Sequence, residues 1–230
     1  MIGSNILLKI IVVGIPLTNC LIMPERFRGS NRFFLDSAVI ADWNELMPLG
    51  LFHGVNTNPG LMEEAGHKIK TVEAVQVLAM KALSINGCNE FMVHSGGGSC
   101  SDMYRIGIEL SDPDRDRIVI KVPLTFEGTK AASRLINSGV RVCMTPCYSS
   151  EQVIVAAGIG AEYISYRLGS TRRDEKRERA RMQEILNGMD SPARILVGNT
   201  RDIGAMADLC TSGVNTFALD PNVARQFFDQ

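Results

Sequence analysis

The chain has 230 residues, of which 21% are charged, and its formal net charge is -1. This length suits one sizeable domain with a full core, so two domains are not expected. No block of one charge sign indicates nucleic acid or an anionic membrane as a partner. Six cysteines occur without paired spacing and without histidines at zinc-ligand spacing, which predicts reduced thiols in an intracellular protein and no metal site.

Residues 6–23 form an apolar stretch that stands apart from the rest of the chain. Lys9, Pro16 and Asn19 interrupt it, which makes a membrane-spanning helix a poor interpretation. Three interpretations stay open: a targeting segment, an anchor, or an extension produced by how the chain start was assigned.

The polar, glycine-containing residues 24–31 indicate a linker. We therefore expect residues 1–31 to be dispensable for the fold and residues 32–230 to form the domain. A cytoplasmic location is expected, with organelle targeting through residues 1–23 as the alternative.

From Arg32 onward, short apolar runs alternate with amphipathic stretches, and apolar residues recur at helical spacing over residues 72–82 and 203–210. Eight strand-helix units in about 200 residues predict a (β/α)8 barrel, and an open doubly wound sheet is the second choice. In a barrel, the chemistry belongs at the carboxyl ends of the strands. The predicted strands are Phe33–Leu35, Gly54–Thr57, Glu90–His94, Ile118–Val122, Val140–Thr145, Tyr163–Tyr166, Ile195–Val197 and Thr216–Leu219.

Lys121 ends a buried strand, because three aliphatic residues precede it and Pro123 cannot continue the hydrogen-bond ladder. Removing an ammonium group from water lowers its pKa, and a neutral amine is what a lysine needs to attack a carbonyl. Lys121 is therefore a candidate Schiff-base nucleophile. The alternative is a strand-end lysine whose stem is buried while its amine reaches solvent.

Further polar residues fall at predicted strand ends. Each has a structural alternative: Asp36 with Ser37 could cap the following helix, and Asn58 with Pro59 could form a turn. Together, an acid, amides, an amine and a hydroxyl on one rim are hard to explain as caps alone. The set comprises Asp36, Asn56, Asn58, Lys121, Thr145, Asn199 and Arg201.

Four collinear segments carry a resemblance to a known family: Phe33–Asp36, Gly54–Pro59, Ile118–Pro123 and Ala157–Tyr163. With them the chain resembles the transaldolase family, including its small members of the fructose-6-phosphate aldolase type. The similarity extends from about Phe33 to Phe228, with the lysine where the family forms its imine.

The resemblance implies class I aldol chemistry in a TIM barrel, without metal or cofactor, on ketose and aldose phosphates. Lys121 would attack the C2 carbonyl of a ketose phosphate. Asp36 looks like the carboxylate that exchanges protons with the sugar hydroxyl. Thr145 looks like the residue that holds the catalytic water.

The resemblance also implies substrate contacts. Asn58 looks like the amide that orients substrate hydroxyls, Ser165 is similar to a serine near the substrate, and Arg201 falls on an arginine that binds the phosphate. Asn56 and Asn199 stand where threonine and serine are usual, and we place both in the substrate site.

The sequence departs from the family pattern on two strands. Strand three usually presents a glutamate or glutamine, whereas this chain offers Val93 in the ungapped register or His94 after a one-residue slip. On strand six the second phosphate arginine is replaced by Ser170, and Arg167 replaces an aromatic residue. Arg167 is a candidate to carry the lost charge.

Two functions are therefore carried forward. The first is an active enzyme that transfers a dihydroxyacetone unit or cleaves a ketose phosphate at C3–C4. The second is a barrel that binds sugar phosphates or regulates without turnover. The sequence stops at Gln230 without the long helix by which small family members engage a neighbouring subunit, so a homo-oligomer stays an open expectation and the family's oligomeric state is not carried over to this chain.

Overall fold

In the computed structural model, which describes residues 31–67, 71–167, 175–198 and 203–228, eight parallel strands close into a barrel. Each strand pairs with the next, and β8 pairs with β1. The predicted (β/α)8 barrel is confirmed and the open sheet is excluded. The strands are β1 Arg32–Asp36, β2 Phe52–Asn56, β3 Glu90–His94, β4 Ile118–Val122, β5 Arg141–Cys147, β6 Tyr163–Tyr166, β7 Arg194–Val197 and β8 Thr216–Leu219.

Helices follow the strands around the outside of the barrel. Among the described helices, none is long and apolar enough to cross a membrane. The described helices are α1 Ile40–Leu46, α2 Pro59–Glu64, α3 Val72–Leu83, α4 Cys100–Ser111, α5 Phe126–Asn137, α6 Ser150–Gly158, α7 Glu175–Gly188, α8 Ile203–Thr211 and α9 Pro221–Arg225, with a 3₁₀ turn at Met47–Leu49.

Several of the sequence predictions lie outside the described residues. These are the interpretations of residues 1–30 and the roles expected for Asn199, Ser170 and Arg201.

The buried side chains form two groups, one inside the barrel and one between the barrel and its helices. Successive strand residues face opposite sides of the sheet, so residues two positions beyond the inner group also point inward, at the carboxyl rim. The register therefore predicts which polar side chains share the mouth of the barrel. The inner group is Phe34, Met92, Val119, Cys143, Tyr163, Leu196 and Ala218.

Glycine is required at two places where backbones approach closely, one near the amino-terminal end of the barrel and one just after β4. A Cβ atom at Gly54 would lie 2.2 Å from the carbonyl oxygen of Glu90 on the neighbouring strand. At Gly128 a Cβ atom would lie 1.8 Å from the carbonyl oxygen of Pro123. The Gly128 N-H donates to Oγ1 of Thr125, which caps α5. The tight turn after β4 thus depends on glycine in the first turn of α5.

A network of charged side chains closes the opposite, amino-terminal end of the barrel. Glu90 is 3% exposed and lies at its centre. Its Oε1 accepts from Arg141 at 2.6 Å, from Arg32 at 3.3 Å and contacts His53 at 2.9 Å, while Oε2 accepts from the Tyr163 hydroxyl at 2.7 Å. Burial alone would disfavour the ionised form of Glu90, but two arginines, the His53 ring and the Tyr163 hydroxyl donate hydrogen bonds to its carboxylate.

We expect Glu90→Gln to lower the free energy of unfolding by about 3 kcal/mol at pH 7, because it removes the buried counter-charge of the half-buried Arg32 and Arg141 guanidinium groups. Burial opposes ionisation, but the His53 hydrogen bond and the Arg141 charge lower the pKa of Glu90 from 4.5 to about 2. Its stabilisation is therefore complete above pH 4.5 and is lost as the pH falls toward 2.

Urea denaturation at pH 7 and pH 3 measures both effects. Glu109→Gln removes a carboxylate from an exposed pair with Arg105 and should change stability by less than about 0.5 kcal/mol. Equal stability of the Glu90→Gln protein and the wild type at pH 7 would contradict the prediction.

Candidate active site

The amine of Lys121 lies inside the mouth of the barrel. The residue is 4% exposed, and its Nζ donates to Oδ1 of Asn56 at 2.7 Å and to the carbonyl oxygen of Thr57 at 3.0 Å. The amine does not reach solvent, so the alternative of a solvent-directed strand-end lysine is wrong. The inner face of β4 forces this position, because Val119 lies on the same face two residues earlier.

Asn56 links the amine to the carboxylate of Asp36. Its Nδ2 donates to Oδ1 of Asp36 at 2.7 Å while its Oδ1 accepts from Lys121, so the three side chains form a continuous chain across β1, β2 and β4. Asp36 does not cap the following helix: α1 is preceded by Val39, which makes no side-chain cap, and Ser37 Oγ binds Asp42 instead.

Burial shifts the protonation of both ends of this chain toward the neutral forms. It lowers the pKa of the Lys121 amine, against the opposing influence of Cys143 and Asp36. It raises the pKa of the Asp36 carboxyl, although Lys121 and the Asn56 hydrogen bond favour the carboxylate. An amine and an acid with pKa values displaced toward each other suit nucleophilic attack and proton transfer.

The structure settles which residue of β3 faces the site. Met92 belongs to the inner group and Val93 packs in the outer core, so His94 points inward at the rim. His94 is also the register partner of Lys121 on β4. Burial and the charge of Lys121 lower the pKa of His94 to about 3, so its imidazole is neutral at pH 7. The alternation of side chains along a strand could have identified His94 from the sequence, because His94 lies two positions after Met92 and therefore faces the same side of the sheet.

Three more side chains complete the inner wall. Thr145 and Ser165 follow Cys143 and Tyr163 by two positions and so face inward at the rim, and Thr145 is 8% exposed. Cys143 is the register partner of Lys121 on β5 and is fully buried. Burial raises the pKa of the Cys143 thiol to about 12, which fits a side chain that packs in the core and is not activated as a nucleophile.

Two other predicted residues are placed differently. Asn58 caps α2, because its Oδ1 accepts a hydrogen bond from the Leu61 N-H at 3.0 Å. Asn58 therefore has a structural role in this helix in addition to the substrate contact predicted for its side chain. Arg167 follows β6 and is exposed, with its backbone N-H held by the carbonyl of Cys147 at 2.9 Å. Within the part of the chain that the structure describes, no group of three His, Cys, Asp or Glu side chains is arranged to hold a metal ion.

A closed parallel barrel with a buried lysine at its carboxyl rim, joined through an amide to a carboxylate, defines a (β/α)8 barrel protein whose polar site lies at the carboxyl ends of the strands. The sequence model of the transaldolase/fructose-6-phosphate aldolase family matches residues 33–195. The chain belongs to that family.

Relatives along most of the chain agree with this assignment. A probable transaldolase of Paracoccus denitrificans (strain Pd 1222) is 30% identical over 208 residues, covering 84% of this chain and 87% of that protein. A probable transaldolase of Jannaschia sp. (strain CCS1) is 32% identical over 197 residues, with coverage of 84% and 87%.

Among solved structures, a dihydrodipicolinate synthase from Rhodopseudomonas palustris superposes with a TM-score of 0.57 at 12% identity. The match covers 87% of this chain and 79% of that one. At this identity the likeness concerns the fold alone.

We expect Asn56→Leu to lower the pKa of Lys121 further, because leucine fills a similar volume but accepts no hydrogen bond from the ammonium. Only the neutral amine reacts with acetic anhydride, so the pH dependence of Lys121 acetylation, read by peptide mass spectrometry, reports this pKa. The curve should move to lower pH. Asn89→Leu, at the amino-terminal end of β3, is the control and should leave it in place; an unmoved curve for Asn56→Leu would contradict the role of the amide.

Proposed function

We propose that the protein is a class I aldolase of the transaldolase type, which acts on ketose phosphates through a Schiff base at Lys121. The observation that carries this proposal is the buried amine of Lys121, 2.7 Å from Asn56, which in turn lies 2.7 Å from Asp36. Membership of the family supports the same reaction class.

The first step is imine formation. The neutral Nζ of Lys121 attacks the C2 carbonyl of the ketose, and loss of water leaves a protonated imine. Burial favours the neutral amine that this step consumes. The Thr57 carbonyl and the Asn56 amide oxygen, which receive the amine hydrogens in the free protein, fix where Nζ stands before attack.

The second step is cleavage of the C3–C4 bond. Asp36 accepts the proton of the C4 hydroxyl, the aldehyde leaves, and the bonding electrons pass to the imine to form an enamine. The raised pKa of Asp36 makes it a stronger base than an ordinary carboxylate. The Asn56 amide keeps the oxygen of Asp36 oriented and sets its distance from the nitrogen that carries the positive charge.

Water must be lost and regained at C2 during each turnover. Thr145 and His94 lie on β5 and β3, on either side of Lys121 on β4, and both point inward. We assign Thr145 to hold this water and the neutral imidazole of His94 to exchange its proton, at the position where the family presents a glutamate or glutamine. Neutral His94 adds no charge that would oppose the imine cation.

The enamine has two fates. Protonation and hydrolysis give aldol cleavage, whereas addition to a second aldehyde gives dihydroxyacetone transfer. Ser165 on β6 is similar to the strand-six serine of the transaldolases, which favours dihydroxyacetone transfer. We expect Arg167 on the rim, with Arg201 from outside the described residues, to bind the phosphate; Asn58 and Asn199 would bind substrate hydroxyls.

Borohydride treatment with fructose 6-phosphate should add a covalent mass to the peptide that contains Lys121. Lys121→Met should abolish the adduct and lower turnover by about a thousandfold or more, because the nucleophile is lost. Asp36→Asn should still form the adduct but turn over about a hundredfold or more slowly, since only proton transfer fails.

Lys130 on α5 is the matched control, because its amine is exposed and paired with Glu127 at 3.0 Å. Lys130→Met should keep both adduct and turnover. An adduct that maps to Lys130, or wild-type activity in Lys121→Met, would refute the imine. An adduct at Lys121 without turnover in the wild type would favour the binding or regulatory alternative.

Arg167→Leu should raise KM for fructose 6-phosphate about tenfold and leave KM for dihydroxyacetone nearly unchanged, since a guanidinium-phosphate contact is worth roughly 1.5 kcal/mol or more. Steady-state kinetics with both substrates measures the difference. Arg105→Leu, which removes another exposed arginine on α4, should change neither value. Equal increases for both substrates would show that Arg167 does not recognise phosphate.

A further inference from the structure

A cavity of about 200 Å³ opens beside Asp36, between the carboxyl ends of β1 and β8 and the helices α1, α2 and α9. Asp36 lines this cavity together with Asp220, the residue that follows β8. The proposed mechanism uses Asp36 and assigns nothing to Asp220, and the sequence by itself gave no reason to single out Asp220.

The strand register brings the two carboxylates together. Leu35 pairs with Leu219, so Asp36 and Asp220 are the next residues along two neighbouring parallel strands. Phe34 and Ala218 both belong to the inner group, and a step of two residues keeps each acid on the inner face. Neighbouring strands lie about 4.8 Å apart, so like charges at these positions stand close together.

Asp220 is held in place and keeps its charge available to its neighbour. Its Oδ1 accepts from the Asn222 N-H at 2.7 Å, which caps α9. The arginine of α9 is engaged elsewhere, because Arg225 pairs with Asp42 at 3.0 Å and with Glu45 at 2.7 Å. Within the described residues, Asp220 forms no ion pair that would neutralise its charge.

The charged and polar groups facing Asp36 differ in sign and origin. Burial raises the pKa of Asp36, Lys121 and Asn56 lower it, and Asp220 raises it. Asp42 of α1 is tied to Ser37 and Arg225, and Glu64 of α2 also lines the cavity. The groups around Asp36 are thus Asn56 from β2, Lys121 from β4, Asp42 from α1, Glu64 from α2, and Asp220 and Arg225 from the end of β8 and α9.

We propose that Asp220 is a positioning residue that acts through Asp36: its fixed carboxylate strengthens Asp36 as the base that takes the C4 hydroxyl proton. This rests on the function proposed above. The repulsion between the two carboxylates is relieved when Asp36 takes the proton, so cleavage reduces the like charge at the rim. Lys121 and Asn56 by themselves would hold Asp36 as a weaker base.

Asp220→Asn tests this proposal, because asparagine caps a helix as well as aspartate does but carries no charge. We expect the acid limb of the pH profile of kcat/KM for fructose 6-phosphate cleavage to move down by about half a pH unit at low salt. The plateau near neutral pH should fall about two- to threefold, since a weaker base transfers the proton more slowly. Raising the ionic strength should shrink the difference, because Asp220 is exposed.

Asp220→Ser keeps a capping oxygen and should give the same shift, which separates charge from folding. Asp116→Asn removes an exposed carboxylate before β4, at the opposite end of the barrel, and should leave the profile unchanged. If the Asp220 variants keep the wild-type acid limb, the proposal is overturned.

A measurement that does not require enzymatic turnover separates the proposed coupling of Asp220 to Asp36 from the proposed aldolase function. The ¹³C carboxyl titration of Asp36, assigned by its absence in Asp36→Asn, should move to lower pH in Asp220→Asn. A shifted titration in a protein that cleaves no ketose phosphate would sustain the coupling and defeat the proposed function alone. An unshifted titration would overturn the coupling whether or not the protein is active.

Discussion

The burial of one ammonium group governs the arrangement of the whole rim. Lys121 Nζ is removed from water and satisfied by an amide oxygen and a backbone carbonyl, neither of which carries a full charge. This is weaker compensation than a direct carboxylate contact, so the pKa of the amine falls and the neutral form is accessible. Asp36 stays within electrostatic reach but behind Asn56, which prevents the ion pair that would hold the amine charged.

The two ends of the barrel interior treat buried charge in opposite ways. At the amino-terminal end Glu90 is matched by Arg32 and Arg141, and its pKa falls to about 2, which stabilises the ionised network. At the carboxyl rim, burial pushes Lys121 and Asp36 toward their neutral forms. The first arrangement favours stability, and the second keeps protons transferable at a cost in stability.

The departures from the family pattern on strands three and six surround the lysine and the carboxylate, and neither Lys121 nor Asp36 is itself changed. His94 brings a neutral imidazole to β3, and Arg167 brings an exposed cation to the end of β6. Each changes proton handling or charge at the rim while the strand that carries Lys121 and its glycine-dependent turn is retained, which is how one barrel accommodates different substrates.

The sequence by itself determined the fold and singled out Lys121 as the candidate nucleophile. All eight strands were predicted with bounds within two residues, because short apolar runs between amphipathic stretches leave few alternatives. Lys121 stood out because a charged residue in such a run is costly. Only the tertiary structure decided that Asn56 bridges Lys121 and Asp36, that His94 rather than Val93 faces the site, and that Asp220 stands beside Asp36. Those contacts depend on which face each strand turns inward and on the closure of β8 against β1. They join residues that are far apart in the chain, so no local sequence pattern predicts them.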